Sequence, residues 1–504
     1  MSAIESPEAP EAGLRKGALR TGDVIIMALA SSGPTQSIAV SLAAIVATVA
    51  YAGFLPLLIC FIPMLGIALG YQRLNAWQPS AGATFSWVGR VLSPHLGFFA
   101  GWIMLLYYSV GTTSLTIPLG SYVLSFVSND AANDKYAVAA VGTVLNIVVL
   151  IVAAIGVQAS AKFQWAWAIF EYALLIGFAI AALIAIYGFH IHGSVPVTAS
   201  WFTIDGAGGL KPLVAGVLLA IFLYSGWDTA AYVGEEAKGT KAGRAALASV
   251  IILFVTYSVA VLAFQGIAPI KELQDHAANI LAFIGQRIGG NFWGVVMIIA
   301  VLGGTLASLQ AAIVSSSRIS FAMGRERAFP GWFGKVNAKR GIPMNATILF
   351  GLLNVVFLWG STLIDSVGQA LSDIVSTLGL MAAIFYLLTA TTAVWCYRTT
   401  ILSSAKDFIL GGLLPGLGAV FMAAVVVYSI VTGSLNGVEL IFGVGLVLVG
   451  FVLSIISKRV GKSPFYSRAL SQFDNTHEDD EGALHGGDAR DEDDADDAQV
   501  TRPV

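Results

Sequence analysis

Two short segments place small polar residues and a backbone breaker inside otherwise apolar runs: Ser31-Ser32-Gly33-Pro34-Thr35 and Tyr224-Ser225-Gly226-Trp227-Asp228. Proline lacks an amide donor and glycine lowers helix stability, so an interrupted helix is expected at each. An interruption leaves free amides at the start of one half-helix and free carbonyls at the end of the other. Amides near Ser32–Thr35, at a positive dipole end, suit a carboxylate; carbonyls near Phe222–Ser225 suit an ammonium group. An α-amino acid carries both. One such break alone reads equally well as a packing kink, because Gly and Pro are tolerated in membrane helices. Two breaks favour a binding site. An offset of 193 lays Ser32 on Ser225, Gly33 on Gly226 and Val40 on Val233, and interrupted helices at matching places in two halves point to a transporter site.

Two acidic residues sit where charge is expensive. Glu171 lies nine residues past Lys162 in an apolar run, roughly 13 Å deeper along a helix. A carboxylate at that depth calls for a proton or a cation partner, although pairing with a neighbouring helix would serve packing only. Asp228 could contact a cationic substrate or cap the half-helix that follows it; the capping role is favoured. Trp227 adjoins the break and is expected to gate or line a cavity, as are Tyr107 and Tyr108 midway along the third span. No metal-ligand cluster and no cofactor motif is visible. The two cysteines, Cys60 and Cys396, lie in separate apolar runs and define no disulfide framework.

The elements that must position these residues follow from composition. The chain has 504 residues, of which 57% are hydrophobic and only 11% charged, with a mean hydropathy of +0.79. The solvent implied is a lipid bilayer. Apolar segments at 22–49, 53–75, 96–127, 137–157, 163–188, 211–234, 245–268, 291–321, 343–361, 369–396, 407–431 and 437–457 predict about 12 membrane helices. The fold class expected is an all-α polytopic membrane protein. Residues 1–20 read as a cytoplasmic leader, 21–195 as a first repeat of five helices, 196–400 as a second and inverted repeat, and 401–460 as two added helices. With the N-terminus inside, 21 basic residues fall on internal links and four (Lys135, Lys211, Lys271 and Arg287) on external ones. Both termini are then cytoplasmic, and the compact loops suit a bacterial inner membrane. The formal charge of −3 averages unlike parts: Asp474–Asp497 holds 12 of the 30 acidic residues, which leaves a mildly basic body. Residues 461–504 read as an acidic, disordered cytoplasmic tail.

Three further stretches carry a resemblance. Pro79-Ser80-Ala81-Gly82-Ala83-Thr84-Phe85-Ser86-Trp87-Val88 runs on to Leu96–Trp102. Tyr224–Asp228 is followed by Glu235-Glu236-Ala237-Lys238. Ser317-Arg318-Ile319-Ser320 leads through Gly324-Arg325-Glu326-Arg327 and Pro330 to Gly341-Ile342-Pro343. In this order they resemble the amino acid–polyamine–organocation (APC) superfamily of permeases. The resemblance implies a LeuT-type fold of 5+5 inverted repeats plus two helices. It also implies alternating access around a site between the first, third, sixth, eighth and tenth helices, with Ser31–Thr35 and Tyr224–Asp228 as substrate contacts, to which the free-carbonyl reading adds Phe222. Family members often carry a Gly-Ser-Gly-like turn where this chain has Ser-Ser-Gly-Pro, which leaves the substrate open. Proton-coupled relatives often place a Lys where Glu171 stands. Glu171 is accordingly expected to couple transport, binding H+ or holding a cation such as Na+ with oxygens of the first break and the Ser308 hydroxyl.

The function expected is secondary active transport, as a symporter, of an amino acid or related amine, with a polyamine carrier or exchanger as the alternative. Partners are that substrate, the coupling ion and the bilayer, and no nucleic acid. An enzyme is disfavoured, since no catalytic motif is visible. A channel would show a repeated filter loop, and a transporter-like sensor would need a soluble domain that the tail cannot form.

Overall fold

The computed structural model describes residues 14–237, 241–276, 279–363, 367–431, 445–459 and 463–466. Among these residues, 11 helices are long and apolar enough to cross a bilayer: Thr21–Ala52, Phe54–Trp77, Pro94–Ser125, Lys135–Ile155, Val157–Tyr187, Leu210–Tyr232, Lys241–Gln265, Asn291–Arg325, Met344–Ser361, Thr377–Cys396 and Ala405–Val431. They are called the first to eleventh spans below. The chain is therefore an all-α polytopic membrane protein. The expected segment 437–457 is described from residue 445, as the helix Leu446–Arg459. Residues 1–13 of the leader, and the tail apart from 463–466, lie outside the described residues.

Local chemistry sets the helix starts. Ser93 accepts a bond from Leu96 N at 3.2 Å, with Pro94 as the first helical residue of the third span. Asp134 accepts from Tyr136 N and Ala137 N at the start of the fourth. The third span has 32 residues and the eighth 35. At 1.5 Å per residue these are about 48 and 52 Å long, well beyond the roughly 30 Å hydrocarbon core. Two shorter helices were not expected from the sequence. Thr84–Val91 leads into the third span, and Ile280–Gly289 precedes the eighth.

Polar clusters bind helices together inside the bundle. Asn354 Nδ2 donates to Asn146 Oδ1 at 2.7 Å and to Thr116 Oγ1 at 3.2 Å, joining the ninth, fourth and third spans. Gln164 of the fifth span donates to Gln310 of the eighth at 3.0 Å, and Gln310 donates to Ser160.

Arg318, counted on the internal side, falls inside the expected segment 291–321 and inside the eighth span of the structure. Arg318 is buried within the eighth span and clamps Glu236, which is also buried, through Nε–Oε2 at 3.0 Å and Nη2–Oε1 at 3.1 Å. Nearby, Arg325 holds Glu235 at 2.6 Å and Arg90 holds Glu326 at 3.0 Å. Burial pushes the Glu235 carboxyl up, but the hydrogen bonds and charge of Arg325 outweigh it and hold the group below its usual range. The segment before the first span joins this end of the bundle, since Leu19 N donates to Glu236 O at 3.0 Å. Phe465 joins it too, buried and stacked on Phe85 with ring centroids 5.4 Å apart.

Candidate functional site

The first span breaks at Gly33. Thr21–Ser32 ends there and Pro34–Val49 begins, with Gly33 in the left-handed region at φ 46°. The sixth span breaks likewise: Leu210–Tyr224 stops, Ser225–Asp228 turn, and a short helix Thr229–Tyr232 follows. Gly226 has φ +103°, and a Cβ there would lie 2.7 Å from Ser32 N and 2.8 Å from Ser31 C and O. The two breaks thus press backbone against backbone. A Gly226→Ala chain is expected to be destabilised by at least about 1–3 kcal/mol, because a side chain strains the left-handed backbone there and the clash adds to it. The unfolding midpoint in one detergent, compared with the parent, checks this.

Around the breaks lies a small cavity of about 40 Å³ lined by 15 residues, among them Ser31, Ser32, Phe222, Ser225 and Gly226 from the broken spans. Tyr107, Tyr108 and Ser308 line it as well. The other expected contacts, Gly33, Pro34, Thr35, Tyr224, Trp227 and Asp228, do not line it. Trp227 is buried, stacked on Tyr386 at 5.5 Å and edge-on to Tyr71 at 4.9 Å, so its ring packs inside the bundle beside the cavity lining. Tyr224 points to the second span, where its hydroxyl donates to Leu57 O at 3.2 Å.

Thr35 and Glu171 meet. Glu171 Oε1 accepts from Thr35 N and from Thr35 Oγ1, both at 2.7 Å. The amide expected to receive a substrate carboxylate is therefore filled by a carboxylate of the chain, and Pro34 beside it has none. The eighth span packs close: a Cβ on Gly304 would lie 2.6 Å from Glu171 Oε1. Among the described residues Glu171 Oε2 has no hydrogen-bond partner. Ser308 does not reach Glu171; its hydroxyl donates to Ala30 O at 2.6 Å, bracing the end of the first half-helix.

Asp228 flanks the short helix Thr229–Tyr232, but its side chain makes no capping bond to that helix. It turns back to accept from Gly226 N at 3.2 Å, and from the hydroxyls of Tyr386 at 3.1 Å, Tyr108 at 3.4 Å and Tyr232. A second link joins the breaks, as Thr229 Oγ1 donates to Ser31 Oγ at 2.7 Å.

Sequence reasoning missed Gln36, Ser37, Ala312, Leu378, Gly111, Ser114 and Leu115 in the lining. The last three follow Tyr107 and Tyr108 at helical spacings of three, four and seven, a signal that was available. Tyr232 was likewise readable, four residues beyond Asp228.

The sequence profile of the amino acid permease family matches residues 21–454. The chain is 24% identical over 303 residues to the branched-chain amino acid permease BcaP of Lactococcus lactis, covering 58% of this chain and 64% of that one. It is 25% identical over 333 residues to the methylthioribose transporter of Bacillus subtilis, covering 61% and 68%. It is 24% identical over 306 residues to the low-affinity putrescine importer PlaP of Escherichia coli, covering 58% and 64%. The matched region thus spans less than two thirds of the length of BcaP and of PlaP. The profile match covers both broken helices and the residues between them, and on that ground the chain belongs to the amino acid permease family of the APC superfamily.

Proposed function

We propose that this protein is a secondary active transporter that moves an amino acid or related amine across a cytoplasmic membrane by alternating access. The observation that carries the reading is the convergence of two helix breaks, at Gly33 and Gly226, on one cavity. Relatives that transport branched-chain amino acids and putrescine support it. Residues 21–195 and 196–400 form the two inverted five-helix halves of a LeuT-type fold, with 401–460 added, and both termini are cytoplasmic. Substrate occupies the cavity beside Ser31, Ser32, Phe222, Ser225 and Gly226.

Glu171 is the coupling group. Its Oε1 holds the second half-helix at Thr35 and its Oε2 is left without a partner, so one oxygen is available to a proton or a cation such as Na+. Symport follows if substrate binding and occupation of Oε2 favour the same conformation. Saturable counterflow of labelled amino acids or amines in proteoliposomes tests the reading. Flux through the purified protein that never saturates, or no flux with any amino acid or amine, overturns it.

A further inference from the structure

Four acids at the end of the bundle that holds Glu236 each have an arginine. Arg325 holds Glu235, Arg318 holds Glu236, Arg90 holds Glu326 and Arg73 holds Asp407. The link from the eighth span to the ninth, residues 326–343, is left cationic. Arg327, Lys335, Lys339 and Arg340 are exposed on it, and its single acid is Glu326. Arg15, also exposed, joins them, since its Cβ lies 3.2 Å from where a Cβ on Gly341 would stand. Among the described residues none of these five cations meets a carboxylate. Their charges add to a field of one sign over this face, which draws in anions.

The chain's own C-terminal segment is stitched to the start of the same link. Ser463 Oγ donates to Arg327 O at 2.6 Å, and Ser457 Oγ to Ala328 O at 3.4 Å. Beyond Tyr466 the sequence turns acidic. Residues 474–497 hold 12 Asp and Glu, with Arg490 as their single Lys or Arg. At roughly 3.3 Å per extended residue, the chain from Tyr466 to Asp497 is long enough to reach all five cations. One exposed ion pair adds little, but a run of acids meeting several such cations at once makes a contact that salt weakens.

We infer that residues 474–497 dock on this cationic link of their own molecule, with Arg15, Arg327, Lys335, Lys339 and Arg340 as the surface they meet. The inference does not depend on what the cavity carries. The test uses the full chain in phosphatidylcholine nanodiscs and a labelled peptide of residues 474–497, with binding read by fluorescence anisotropy. The parent is compared with a full chain whose acids in 474–497 are changed to Asn and Gln. The neutralised chain leaves its link open, so it is expected to bind the peptide at least tenfold more tightly than the parent at about 0.1 M salt. The preference is expected to vanish at about 1 M, where the Debye length falls to about 3 Å. Lys335→Gln/Lys339→Gln in the neutralised chain is expected to weaken peptide binding at least threefold; both lysines are exposed, so the fold is not at stake. Equal binding by the parent and the neutralised chain overturns the inference, as does binding indifferent to salt or to the lysine changes. Anionic headgroups could also cover a cationic face beside a bilayer. Loss of peptide binding to the neutralised chain when about a third of the lipid is phosphatidylglycerol assigns the face to lipid and overturns the inference as well.

Discussion

A Glu171→Gln chain in proteoliposomes is expected to exchange substrate within about twofold of the parent rate while failing to accumulate it above equilibrium. The bonding explains why the two activities separate. Oε1 accepts both the amide and the hydroxyl of Thr35, and an amide oxygen has two lone pairs to do the same. The break at Gly33 therefore keeps its shape. What changes is Oε2, which becomes an NH2 group able neither to bind a proton reversibly nor to hold a cation. Exchange needs only the cavity, whereas accumulation needs an ion gradient to act on the protein. Accumulation is checked by labelled uptake under an imposed proton or sodium gradient; concentrative uptake unchanged from the parent would remove Glu171 from coupling.

Arg318→Ala is expected to destabilise the protein by about 3–5 kcal/mol, because removing one partner of a buried pair leaves the other charge uncompensated. Among the described residues the cation that meets the Glu236 carboxylate is Arg318, and both side chains are at most 2% exposed. The double variant Arg318→Met/Glu236→Met is expected to recover most of the loss, since buried ion pairs exchange for apolar side chains at little net change. Unfolding midpoints in one detergent, measured for single and double variants, check both statements. A double variant as unstable as Arg318→Ala would show that the arginine contributes through packing and not through its charge.

The two breaks were legible because the chain writes them locally: Ser-Ser-Gly-Pro and Ser-Gly-Trp-Asp interrupt apolar runs at matching places in the two halves, whereas Pro63 and Pro118 stand inside continuous helices. The length and order of the spans were legible for the same reason, through uninterrupted apolar stretches. What each break binds was not. The Thr35 amide meets Glu171 from 136 residues away, and Asp228 meets Tyr386 from 158 residues away. Nothing in the local pattern of the fifth or tenth span says which face it turns to the first or sixth. Arg318 shows the same limit in reverse. A count of basic residues assumes that each is solvated, and only the packing of the sixth span against the eighth reveals a charge enclosed with its partner.

The seat of Phe465 against Phe85 has a consequence for the acidic stretch that begins at Asp474. Tyr466 is anchored beside it, its ring 5.1 Å from that of Phe465. Eight residues of fully extended chain reach about 29 Å, so Asp474 is leashed within that radius of Tyr466. Any attraction between that stretch and basic side chains of the same molecule within that radius is then a tethered encounter at about millimolar effective concentration, strong or weak with salt but indifferent to how dilute the protein is.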